Sequence, residues 1–215
     1  MARNKYPEVT VERILDVSQR LFLEKGYENT TIQDIVDGLD GLTKGVVYHH
    51  FKSKEEIMDA VGDRMFFQNN PFEKVRGRKD LNGLQKLQEA IRLNQADRQR
   101  TNVTVQAIPI TRNPRVLVGM IDSNRRILTP YMLELIEEGN RDGSIHTEYG
   151  KEIAELIPLL TSLWLLPSVF PADKEGMKRK FLFIGEMLEK MGLPLIDDSI
   201  LSLVDEFFDQ MPEQK

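Results

Sequence analysis

Thr43, Lys44, Tyr48, His49, His50, Lys52 and Lys54 crowd into LTKGVVYHHFKSK, residues 42–54, a stretch without one carboxylate. Hydroxyls, ammonium groups and imidazoles at such density suit phosphate oxygens and the edges of bases. The chain as a whole has a formal net charge of -5 and a pI near 5.4. That balance excludes coating of nucleic acid through bulk charge, so any DNA contact must come from a small concentrated patch. Residues 1–64 carry nine Lys and Arg against twelve Asp and Glu, which makes the positive cluster local.

Helices must position these side chains. Apolar residues at Val11, Ile14, Leu15, Val17, Leu21 and Phe22 follow helical spacing, with Thr10 as the expected N-cap and Gly26 as the stop. Thr30 and Gln33 have the form of a capping box for a short second helix that buries Ile32, Ile35, Val36 and Leu39. Asp40-Gly41 makes a turn, Thr43 caps a third helix to about His50, and Ser53 with Glu56 opens a fourth through Ile57, Met58 and Val61. The second and third helices form a helix-turn-helix, whose second member enters the major groove by its N-terminal end. A helix over 43–49 is about 10 Å long, comparable with a groove about 12 Å wide.

Pro71 and Gly77 in the polar segment QNNPFEKVRGRKD suggest a connection, or a helix end followed by a loop, and a domain boundary. Two domains are expected, 1–67 and 68–215. Further helical patterns fall at 81–98, 103–108, 114–138, 151–166, 174–191 and 200–211, with Pro158 expected to kink or restart its helix. No useful β-alternation, repeat or low-complexity tract interrupts them, so the fold class is all-α. With no cysteine there is no thiolate nucleophile, disulfide or Cys-based zinc site. MARNKYPEVT does not read as a secretory signal and no long uncharged apolar run occurs, so a cytoplasmic location without membrane insertion is expected.

The string TTIQDIVDGLDGLTKGVVYHHFKSKEEI resembles the DNA-binding segment of the TetR family of bacterial regulators over about residues 9–62, most specifically at 43–56. One departure is an extra residue between Ile35 and Lys44-Gly45, through Asp40-Gly41. The resemblance implies a homodimer with an N-terminal helix-turn-helix and a C-terminal helical domain for ligand binding and dimerisation. It implies a repressor, released from an operator of twofold symmetry by a small molecule. Thr31 and Gln33 match positions that reach the backbone or flanking bases, and Tyr48 matches a tyrosine on phosphate. The last two large helices, here about 151–167 and 174–191, pair with those of a second copy.

Read as residues, Thr43 can present its hydroxyl and backbone N–H to a phosphate or simply cap its helix. Lys44 suits a guanine edge or a phosphate, and Val46 a thymine methyl. Gly45 permits either close approach to the duplex or tight packing on the second helix. Tyr48 reaches phosphate or is structural. His49 and His50 point about 100° apart on a helix, which favours DNA contact, above all for His50, over metal ligation. Lys52 and Lys54 bind phosphate or stay solvated.

In the C-terminal half, Met120, Tyr131, Met132, Trp164 and Phe170 are candidate cavity-lining residues, with core packing as their other role. Arg125 and its neighbour Arg126 could turn inward to an acidic ligand or face solvent. An alternative function keeps the DNA site but gives the C-terminal half a protein partner, making an activator or adaptor. An enzyme is not expected: neither paired catalytic carboxylates nor Glu-x-x-His spacings occur, and no cofactor or metal site is indicated.

Overall fold

The computed structural model describes residues 7–210. Every regular element among them is helical. None of these helices is long and apolar enough to cross a membrane.

Helix α1 runs from Pro7 to Lys25, opening on a proline whose fixed φ suits a first turn. Thr10 therefore lies inside the helix and is 6% exposed, which corrects its expected role as N-cap. Gly26 stops the helix at φ 86°, as its position after Lys25 suggests. The capping box moves by one residue: Thr31 pairs with Asp34, not Thr30 with Gln33. Thr30 is buried, and its hydroxyl donates to the Gly26 carbonyl at 2.8 Å. Helix α2 (Ile32–Asp37), a turn with Gly41 at φ 75°, and α3 (Lys44–His50) make the helix-turn-helix. The Asp40-Gly41 turn absorbs the extra residue, with Leu39 buried beneath it and the Asp40 carbonyl accepting from Arg13 at 2.9 Å. Helix α4 (Lys54–Gln68) is capped by Ser53 and lies against α1. Its Arg64 fastens the two, donating to Asp16 at 2.6 Å and to Gln19.

The segment after α4 is not a plain connection. Asn70 Oδ1 accepts from the backbone N–H of Phe72 at 2.9 Å, Pro71 supplies a first turn, and α5 (Pro71–Arg76) buries Phe72 and Val75. Helices α6 (Gly83–Ala96) and α7 (Arg98–Ala107) are divided at Asp97, whose carboxylate accepts from the Arg100 N–H at 3.1 Å. A 3-10 turn (Pro109–Arg112) leads to α8 (Pro114–Ser123), a π turn (Asn124–Leu128) and α9 (Thr129–Asp142). Pro130, lacking the N–H that would meet the Arg126 carbonyl, explains the widened turn just before it. Pro158 lies inside α10 (Gly150–Leu159), which passes just after it into a second π turn (Leu160–Trp164). Helices α11 (Lys174–Lys190) and α12 (Asp198–Gln210) follow. The expected end of the last helix at Met211 lies outside the described residues.

Two apolar clusters hold the chain together. One joins α1–α4 through Ile14, Phe22, Ile35, Val47, Ile57 and Val61, and also takes Val103 from α7. The other is built from Phe66, Phe72, Leu87, Leu135, Ile136, Ile153, Ile184, Leu188 and their neighbours. Helix α4 belongs to both, with Met65 on one side and Phe66 on the other.

Candidate nucleic-acid interface and cavity

Helix α3 is held from one side only. Val47 is fully buried and Phe51 is 7% exposed, against Ile35 and Leu39 of the preceding helix and turn. Thr43, Lys44, Gly45, Tyr48 and His49 consequently face outward, and Val46 sits at the edge. Thr43 has the extended backbone of an N-cap, but its side chain accepts no capping hydrogen bond, leaving its hydroxyl uncommitted to the helix. The first turn of α3 has no acidic residue, so the positive end of its dipole is unopposed there. Lys44 Nζ lies 5.9 Å from the centre of the Tyr48 ring, placing ammonium and phenol side by side.

Gly45 settles one of its two readings. A methyl built on it would find its nearest neighbour, Thr43 Oγ1, at 3.7 Å, so packing inside the molecule does not require glycine there. The imidazoles also separate. His49 is exposed, whereas His50 is half-buried and its Nε2 has no hydrogen-bond partner, so the outward imidazole is His49 and not the expected His50.

Thr31 is exposed, but its hydroxyl and N–H both bond Asp34 Oδ2. Lys25 and Thr31 together hold the Asp34 carboxyl well below the usual carboxylate range. Gln33 is exposed and donates to Asp37 at 2.8 Å. Lys52 faces solvent. Lys54 does not: its ammonium donates to the carbonyls of Tyr27 (2.8 Å) and Thr30 (2.9 Å) and lies 3.9 Å from the centre of the Tyr27 ring. This corrects the expected phosphate contact, because the side chain ties α4 to the α1–α2 loop. Lys54→Gln should lower Tm by about 3–5 °C through loss of about 1–2 kcal/mol of charged hydrogen bonding. The check is a thermal melt in low and high salt, where a shift abolished by salt would mark a surface charge effect instead.

A cavity of about 410 Å³ opens beside α4, walled by α7, α8, both π turns and α12. Met120 lines it, alone among the residues expected there. Arg125 is exposed and ion-paired with Asp122 at 2.7 Å. Tyr131 stacks on Phe72 at 5.4 Å, and Met132 is core. Trp164 packs edge-on against Phe183, and Phe170 is an exposed side chain. The π turns rotate the helix faces, so simple periodicity misassigns which residues turn inward.

Sequence reasoning missed Asp59 and Asp63 on α4 and Arg100 on α7, all in the wall. Their signal was the set 59, 62, 63 and 66, one helix stripe adjoining the core stripe, which reads equally as a solvated face. Burial, reinforced by neighbouring Asp63 and opposed by Arg126, pushes the Asp59 carboxyl up to about 6. Burial also lowers the Arg100 guanidinium, which lies 4.7 Å from the centre of the Phe66 ring.

Residues 14–61, from within α1 to the middle of α4, match the family described as bacterial regulatory proteins, tetR family. This segment belongs to the TetR family. The chain's N-terminal stretch is 46% identical over 48 residues to the transcriptional repressor KstR2 of Mycobacterium tuberculosis H37Rv, covering 22% of this chain and 24% of that protein. It is 36% identical over 56 residues to the regulator TtgR of Pseudomonas putida, covering 26% of each. The matched region thus spans about a quarter of these curated relatives. Over the whole chain, the fold resembles RolR in complex with resorcinol, with TM-score 0.60, 18% identity and coverage of 98% and 99%. It also resembles Salmonella enterica GusR, with TM-score 0.58, 20% identity and coverage of 96% and 97%.

Proposed function

We propose that this chain is a sequence-specific DNA-binding transcriptional regulator, a homodimeric repressor released from its operator by a small molecule. The observation that carries the reading is the outward tip of α3. Lys44, Tyr48 and an uncapped Thr43 surround a glycine that internal packing does not require. Residues 1–67 would read DNA, with Lys44 at a base edge or phosphate and Thr43, Tyr48, His49 and Lys52 on the backbone. Residues 68–215 would receive the effector and form the dimer through α10, its π turn and α11. Two α3 tips would then sit about 34 Å apart, one turn of B-DNA, on a pseudo-palindromic operator. A cavity of small-molecule size beside α4 favours a ligand over a protein partner as the signal. RolR, solved with resorcinol, is a precedent for a small molecule held in this fold.

The operator can be recovered by sequencing DNA fragments that the purified protein retains. On it, Lys44→Ala should weaken binding about 10- to 100-fold and Tyr48→Phe about 5-fold, with unchanged thermal melts. The salt dependence of Lys44→Ala should be shallower if the lysine pairs with phosphate. Variants that shift the operator as well as the parent overturn this assignment of the tip.

A further inference from the structure

We propose that the cavity takes a hydrophobic organic cation whose ammonium group seats on Asp59 and whose apolar body lies along the aromatic side chains of the wall. This deepens the effector reading above and rests on the cavity being the site of that effector.

The polar groups of the wall are largely spoken for. Asp63 accepts from Ser123 Oγ at 2.6 Å, Asn124 donates to Ser162 at 2.7 Å, and the Thr161 hydroxyl returns to the Ile157 carbonyl at 2.9 Å. Asp59 has neither a hydrogen bond nor an ion pair within 4 Å among the described residues. A half-buried carboxylate in that condition lacks a counter-ion that a bound cation would supply. The same cavity is also lined by Phe66, Phe181, Phe207 and Phe208, whose apolar bodies suit the hydrophobic part of such a ligand.

The charged groups near Asp59 are mostly negative. Glu55, Glu56 and Asp63 on its own helix are negative. Arg126 on the π turn is positive, but its Nε donates to Asp122 at 2.7 Å. Arg100 on α7 faces Asp97 and Asp63. Among the described residues of the wall, three acids thus stand against one arginine, and a carboxylate ligand would be repelled where an ammonium is drawn in.

The test is calorimetric titration of the full chain with phenylbutylamine, phenylbutanol and phenylbutyrate, three probes that share a body and differ in charge. At about pH 7.5 the amine should bind at least about 10-fold tighter than the alcohol, and the acid more weakly than either. Asp59→Asn should bring the amine down to the affinity of the alcohol, and Asp59→Glu should restore part of the preference. Amine affinity should fall between about pH 7.5 and 5, as Asp59 takes up its proton, while that of the alcohol holds. Equal binding of amine and alcohol, an amine affinity indifferent to Asp59→Asn, or binding by none of the three overturns the proposal. The titration contains no DNA, so it stands apart from the effector reading. An amine that seats on Asp59 yet leaves the operator complex intact would sink that reading and spare this one.

Discussion

Alanine in place of Gly83 is expected to lower Tm by about 10 °C, whereas alanine in place of Gly45 should raise it slightly and cost operator affinity. Gly83 opens α6 where that helix crosses α9. A methyl there would stand 2.2 Å from the Gly139 backbone N, 2.5 Å from its Cα and 2.8 Å from the Leu135 carbonyl oxygen. These are backbone atoms and cannot swing aside. The crossing is also pinned, because the Gly83 N–H donates to Asp142 at 2.7 Å and the Leu84 N–H to Ser144 at 3.1 Å. Relief requires the two helices to part, loosening Leu87 and Ala90 from Leu135 and Ile136 at a cost of about 3 kcal/mol or more. At Gly45 the nearest atom would be 3.7 Å away, so alanine gains up to about 1 kcal/mol of helix propensity. The same methyl lies on the face proposed to meet the duplex, and a loss of about 10-fold in operator binding, about 1.4 kcal/mol, is expected. Thermal melts and mobility shifts on the two variants check both signs. A mild Gly83→Ala melt would contradict the close crossing, and undiminished operator binding by Gly45→Ala would contradict the close approach to DNA.

The contrast also shows what was legible in the chain. Helical spacing placed α1, α2 and α4 and their inward residues, because Ile14 and Phe22, Ile35 and Leu39, and Ile57 and Val61 each keep to one face at that spacing. Caps were less determinate. Thr30 and Thr31 each have an acceptor-bearing residue three places on, and only burial of Thr30 against α1 decides between them. Helix α5 escaped notice because polar neighbours surround Phe72 and Val75, although Asn70-Pro71 was a start signal. Charge alone could not distinguish Lys52 from Lys54, since the carbonyls that hold Lys54 come from residues 27 and 30. The cavity wall was the least legible part. It is assembled from six helices and two π turns whose faces no local period predicts.

The largest functional effect is expected from Phe183→Glu, which should convert the protein to a monomer and cost at least about 100-fold in operator affinity, about 2.7 kcal/mol. Helix α11 buries Met177, Ile184 and Leu188 on one side, yet Phe183 remains 57% exposed and Leu182 39% exposed on others. Leu159 at the end of α10 is likewise exposed, and Trp164 meets Phe183 edge-on at 5.7 Å. A helix apolar on more than one face has more apolar surface than its own core uses, and in the homodimer proposed above a second copy would cover it. Lys180 reinforces the arrangement by donating to the carbonyl of Phe170 at 3.0 Å, which holds the chain after the second π turn against α11. In the proposed dimer, a glutamate at 183 would bring a charge from each subunit into an apolar contact, where neither would find a counter-ion. Because Phe183 lies outside the buried cluster, the variant should keep the parental helical content and remain folded as a monomer. Sedimentation equilibrium and mobility shift read the two consequences, with Val118→Glu on α8 as an exposed apolar control outside α10 and α11. If the Phe183→Glu protein keeps its dimer mass, the interface is elsewhere. If it becomes a monomer yet holds its operator undiminished, paired tips are not what gives this chain its grip on DNA.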